Sequence, residues 1–330
     1  MIKSLKNYVD SKFNALSRSE TTVDTEKVSY EFKSDLEKLS NAEFCELLIT
    51  AGYIPDLYSA DSSEETLFTK LCEILEMEWA QRMGFKSQFI TQKASYEDVD
   101  IFIDNNVIVS DTKSYRLSRS QAAPNVKDFV KPEDYNKWLD RHTSSRKLGG
   151  LVVYPQLLEW KSGSDAHLYC SDKKLPIVML PFHYLAYLLH CKDSLGYNTK
   201  NLIQLWNYKE LFPKSVGKDR LTYWKKINHK ILTITGDTQK NMIAYLKECE
   251  KKMLTFIKAN VDELTSIQHD IEKQIRYDIA SMDHDILVEE FTKYKLETET
   301  SMHKTYIERI LKFRTENRHT MYYSFIDKGF

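Results

Sequence analysis

Apolar residues recur at helical spacing through the first 83 positions, at Phe32, Leu36, Leu39, Phe44, Leu47 and Leu48, which predicts helices with one inward face. "AGYIPDLYSADSSEE" breaks the pattern at Gly52 and Pro55. Ser62 or Ser63 is then placed to cap a helix with Glu65 in its first turn, running to Gly84. From residue 85 the period shortens. "SQFITQ", "VDIFI", "VIVSDTK", "GGLVVYPQ" and "LPIVML" are predicted strands, with a helix expected within 127–147 and another over "FHYLAYLLHC". No proline follows Pro213 and no glycine lies between Gly236 and Gly329, while Met242, Leu246, Cys249, Met253, Ile257, Val261, Leu264, Ile271 and Ile275 step onward by three and four. The chain from about 238 is therefore predicted to be long helix. Three parts follow: a helical part over 1–84, an α/β core over 85–235 and a helical region over 236–330.

Composition narrows the classes. The 330 residues are 42% hydrophobic and carry a net charge of -1, so any surface for nucleic acid must be local. The five cysteines are scattered without a CxxC pair, which suits reduced thiols in a cytoplasmic setting. No membrane span, signal peptide, HExxH, GxxxxGK[ST] or GxGxxG is present in the sequence.

The chemistry gathers at "VDIFIDNNVIVSDTKSYRLSR", residues 99–119. Side chains alternate along a strand, so Asp98 and Asp100 share a face, as do Asp111 and Lys113. A turn at Asn105-Asn106 would set Asp100 opposite Asp111 and Asp98 opposite Lys113; a slip of two residues keeps all four on one face. Facing carboxylates repel unless neutralised, and a hard divalent cation neutralises them. With a lysine beside it, such a pair suits metal-assisted phosphodiester hydrolysis. The competing reading is a solvated hairpin face with exposed ion pairs. Cations at Lys113, Arg116, Arg119, Lys127 and Lys131 follow, interleaved with Ser118 and other hydroxyl and amide groups, and Asp128 is the only acid over 112–131. That mixture suits phosphate positioning and base readout.

These residues resemble the PD-(D/E)xK nuclease core, and more closely the HindIII type II restriction endonuclease family. The resemblance rests on "SDTKSYRLSRS" followed by "KDF", and on "GYIPDLYSADSSEETLFTK", "VVYPQ", "LPFHYLAYLL" and "LIQLWNY" in matching order from about Phe44 to Tyr208. It weakens in the C-terminal third. It implies a mixed sheet flanked by helices, Mg²⁺ with Mn²⁺ as substitute, and a homodimer cutting both strands of double-stranded DNA at a short palindrome to leave 5'-phosphate and 3'-hydroxyl ends. AAGCTT is the site it suggests, and a cognate DNA methyltransferase the companion enzyme. Asp111 and Lys113 then take the places of the second carboxylate and the catalytic lysine. The first carboxylate is expected to be Asp100, which opens the apolar run, with Asp98 its rival by counting from Gln92. Glu65 matches an auxiliary acid. Arg116, Ser118, Arg119, Lys127 and Lys131 are the expected DNA contacts. A structure-specific nuclease of the same core and a non-catalytic DNA-binding protein are the alternatives.

Overall fold

The computed structural model describes residues 2, 4–16, 23–89, 97–116, 130–157, 174–212 and 220–316. Three helices, α1 (Leu5–Leu16), α2 (Thr25–Glu37) and α3 (Asn41–Thr50), precede β1 (Tyr53–Ile54) and α4 (Ser63–Arg82). Strands β2 (Lys86–Phe89), β3 (Val99–Ile103), β4 (Asn106–Thr112) and β5 (Tyr115–Arg116) follow, then α5 (Pro132–Asp140), β6 (Arg146–Tyr154), β7 (Ile177–Pro181) and α6 (Phe182–Leu195). A 3-10 segment over Thr199–Trp206 leads through one helical turn to α7 (Arg220–Thr235), α8 (Gln239–Ser281) and α9 (His284–Glu316).

Ser62 caps α4, its hydroxyl accepting from the Glu65 amide at 3.2 Å. This helix is wrapped on every side, since each position from Ile74 to Ala80 is buried. Such a helix shows no single apolar stripe, and it can carry acids inward only where something meets them.

Five of the described strands form a mixed sheet in the order β2-β3-β4-β6-β7, and β1 pairs separately with β5 in parallel. The β2-β3-β4 part is antiparallel, and β6 and β7 add in parallel. From Gly149 on, β6 is buried, as is all of β7, and both stretches read as apolar runs. Ile101, Ile103 and Ile108 face Trp79 of α4 and Leu188 of α6. The opposite face of β3 and β4 meets α5. Gly150 of β6 has to be bare there, because a Cβ would stand 2.3 Å from Cδ1 of the fully buried Tyr135. Gly150→Ala is expected to cost about 2 kcal/mol, the usual penalty of overpacking a core. Its urea midpoint should fall with an unchanged slope; an unmoved midpoint would show that the Tyr135 ring yields.

The β3-β4 turn corrects one expectation. Ile103 pairs with Asn106, so the turn is Asp104-Asn105 and Asn106 opens the strand. Asp104 takes φ 54, a left-handed conformation that aspartate tolerates better than most residues. The Asn106 side-chain amide donates to the Ile103 carbonyl at 2.9 Å and holds the corner. The register is therefore shifted by two residues from the expected one: Asp100 lies opposite Val109, and Val99 opposite Ser110.

The chain divides into two units, Met1–Ala259 and Asn260–Phe330. The first extends past residue 236 because Met242, Cys249 and Met253 of α8 are buried in it. In the second, the apolar residues Val261, Ile271, Ile275, Ile286, Phe291 and Leu296 are all more than half exposed. No described helix is long and apolar enough to cross a membrane.

Candidate active site

The shift brings Asp98, not Asp100, beside Asp111. The Asp98 amide donates to the Ser110 carbonyl at 3.0 Å, continuing the β3-β4 ladder. Its carboxylate accepts from the Thr112 amide at 2.7 Å. Asp111 Oδ2 then takes Lys113 Nζ at 2.6 Å, with the two side chains 16% and 27% exposed, so solvent and substrate can reach them. Lys113 is itself seated by its backbone amide, which donates to Val153 of β6 at 2.7 Å. Thr112 points to the other face, as alternation requires, and its hydroxyl donates to Glu76 of α4.

Two more acids lie nearby on α4: Glu73, whose charge acts on Asp98, and Glu76, which sits on the other face of the sheet against Thr112 and is in electrostatic reach of Asp111. Burial pushes Glu73 up to about 7; the Asp111 carboxylate adds to this, and Lys70 at 2.6 Å opposes it. Burial likewise holds Glu76 at about 7, with Asp111 and Glu73 contributing. Asp98 is raised well above the ordinary aspartate range, first by burial and then by the Glu73 and Asp111 charges. The same carboxylates, after burial, keep the Tyr135 phenol protonated.

Among the described residues, the cations whose charges act on Glu73, Asp98 and Asp111 are Lys70 and Lys113. Buried like charges either take up protons or gather a cation. Glu76 Oε1 is buried with no hydrogen-bond partner among the described residues. An all-oxygen donor set fits a hard divalent ion of the Mg²⁺ kind, with Asp98 and Asp111 as its strand-borne ligands and Glu73 beside them.

The other expected residues fall elsewhere. Asp100 faces His142, just beyond α5, at 3.1 Å. Glu65 accepts from the Asp61 amide at 2.7 Å and pairs with Arg116 at 2.9 Å, so it belongs to the start of α4. Arg116 also donates to the carbonyls of Pro55 and Tyr58 at 3.1 and 2.7 Å. Its guanidinium clamps the 52–65 loop from inside the structure. Lys131 is exposed and immediately precedes α5. Ser118, Arg119 and Lys127 lie outside the described residues.

A model of the HindIII restriction endonuclease family matches residues 7–306. The type II restriction enzyme HindIII of Haemophilus influenzae is 24% identical over 246 residues, covering 74% of this chain and 71% of that enzyme.

Proposed function

The chain belongs to the HindIII restriction endonuclease family and is a type II site-specific deoxyribonuclease, and from that premise we propose that it cuts both strands of a short palindrome by Mg²⁺-dependent phosphodiester hydrolysis at Asp98, Asp111 and Lys113. The observation that carries this reading is the meeting of the two aspartates at the ends of adjacent strands with the lysine on Asp111. We read the sheet with this triplet as a PD-(D/E)xK core.

Mg²⁺, or Mn²⁺ in its place, would be held by Asp98 and Asp111. Bound there, it would polarise the scissile phosphate and lower the pKa of a water. Lys113 sits where it can donate to that water and balance charge gathering on the phosphate. Glu73, raised to about 7, is placed to share a proton or to complete the ion's ligands. The Thr112 amide fixes the Asp98 carboxylate, so the two aspartates are preorganised before DNA arrives. Hydrolysis would leave a 5'-phosphate and a 3'-hydroxyl. Arg119, Lys127, Lys131 and Ser118 are proposed to hold backbone or bases; Arg116 is proposed to act indirectly, by fixing the loop. AAGCTT is the proposed site.

A palindrome presents two equivalent phosphates about a twofold axis, so a symmetric pair of chains is the proposed assembly. The exposed apolar residues of 260–296 supply surface that such a contact could cover. The enzyme would act in the cytoplasm, beside a methyltransferase that modifies the same site without a stable complex.

Digestion of a long mapped DNA with Mg²⁺, followed by sequencing of the ends, tests the reading directly. Discrete fragments with one shared palindrome at every end are expected. Cuts at junctions or random positions would reject it. Lys113→Ala should reduce cleavage by about 10²–10³-fold, the cost of losing one charge-stabilising donor, while DNA binding in Ca²⁺ persists. A variant cutting at the parent rate would remove the lysine from the chemistry.

A further inference from the structure

We propose that Glu97, Asp100 and His142 form a second cation site, separate from the Asp98–Asp111 centre, that takes a divalent transition-metal ion such as Mn²⁺ or Zn²⁺ in preference to Mg²⁺. One ligand atom from each lies within 4.8 Å of the others. His142 Nε2 stands 3.1 Å from Asp100 Oδ1 and 3.6 Å from Glu97 Oε1. Ligands about 2.1 Å from a tetrahedral ion lie about 3.4 Å from one another. The two spacings from the imidazole lie close to such an edge, and the Glu97 carboxylate brings its second oxygen to the same cluster.

The second observation is an orphaned oxygen. The Glu97 side chain is 0% exposed. Its Oε1 takes Arg141, but Oε2 is buried with no hydrogen-bond partner among the described residues. An unmet buried carboxylate oxygen is costly, and a metal ligand bond is one way to satisfy it. The surrounding charge agrees. Two carboxylates face one guanidinium, which leaves net negative charge before the imidazole is counted.

The donors are also held still. Asp100 lies within β3, Glu97 enters it, and His142 follows the α5 C-terminus. The Phe102 ring packs edge-on to the imidazole with centroids 5.7 Å apart, which fixes its plane. His142 is 15% exposed, so an ion has a way in. The imidazole among carboxylates favours Mn²⁺ or Zn²⁺ over Mg²⁺.

The two centres draw on different partners. The Asp98 carboxylate turns to the Thr112 amide and feels the Glu73 and Asp111 charges, whereas Asp100 turns to His142, so the two acids serve different sets of partners. An ion at Glu97–Asp100–His142 would instead pin β3 to the end of α5, and so set the stretch of β3 from which Asp98 projects.

The test uses the full chain carrying Asp98→Asn and Asp111→Asn, so that the first centre is disabled. Mn²⁺ titration, read by electron paramagnetic resonance of the unbound ion and by calorimetry, should still give one site per chain. Adding His142→Ala should weaken that site at least about tenfold. Asp100→Asn in the same background is the second variant and should do likewise, with circular dichroism checking that each folds. Co²⁺ should give a visible d–d spectrum that disappears with His142→Ala. A disabled chain that binds no Mn²⁺, or binding unchanged by both the His142 and Asp100 substitutions, would overturn the proposal and leave the cluster as a proton-sharing ion-pair network.

Discussion

Asp98→Asn should lower DNA cleavage by roughly three orders of magnitude, about 4 kcal/mol of transition-state stabilisation, while Asp100→Asn stays within about tenfold of the parent. The argument is one of register. Asp98 sits directly before β3, its amide on Ser110 and its carboxylate on the Thr112 amide, next to Asp111. Asp100 lies opposite Val109 and turns to His142. Replacing Asp98 by the isosteric amide keeps the side chain's shape and removes a charged donor from the proposed hard-ion centre. The same exchange at Asp100 leaves that centre's carboxylates in place. Single-turnover cleavage with Mg²⁺ separates the two, and binding measured in Ca²⁺ shows whether either substitution acts through affinity. Should the Asp100 variant be dead and the Asp98 variant active, the catalytic pair is not the one the strand register brings together.

That contrast also marks how far the sequence could be read. Strand alternation placed Asp98, Asp100, Asp111 and Lys113 on one face, and the structure agrees, because a face survives any slip of two residues. The partners across the strands depended on which two residues turn. Asp104-Asn105-Asn106 offers two choices, and the choice rests on Asp104 accepting a left-handed φ and on Asn106 bonding back to Ile103. Local letters do not decide between those turns. The helices, five core strands and Ser62 cap were legible because period and capping are local.

Glu73 and Glu76 were missed for a different reason. They sit in "LCEILEMEW", where apolar residues occupy every side of the helix. An acid in such a run has no solvent face to retreat to, and that was the available signal. Arg116 shows the converse. Its place in a string of cations suggested phosphate contact, yet three groups in the 52–65 region hold it. Charge in a sequence shows what a residue can pair with, and the fold decides whether the partner is internal.

The buried acids give the last expectation: without divalent cations, stability should fall as pH rises from about 5.5 to 8.5, and Mg²⁺ should restore more of it at the upper end. Glu73 and Glu76 ionise near 7 in the folded chain, against about 4.3 for glutamate in an unfolded one. The folded state therefore binds these protons more tightly. Below about pH 4 both states are protonated and the groups cost nothing. As pH climbs past the unfolded value, the unfolded chain loses its protons first and folding is progressively penalised. The penalty is complete once pH passes the folded value near 7. Asp98 is raised for the same reasons and acts in the same direction. At 1.36 kcal/mol for each pK unit, the combined effect is on the order of several kcal/mol. It should appear as a fall of roughly 5–10 °C in melting temperature. A cation bound by Asp98 and Asp111 favours the ionised carboxylates, so its stabilisation should be larger at pH 8.5, where no protons compete for them. Glu73→Gln should flatten part of the pH dependence in cation-free buffer, since it removes one of the charges that burial penalises. Asp100, also near 7 through burial, adds to the slope, but Asp98→Asn separates the centres by cutting the Mg²⁺ increment. A melting temperature that is level from pH 5.5 to 8.5 without cations, or equal Mg²⁺ increments at both ends, would mean that these carboxylates are not forced together in the folded chain and that the acidic centre is not built to hold an ion.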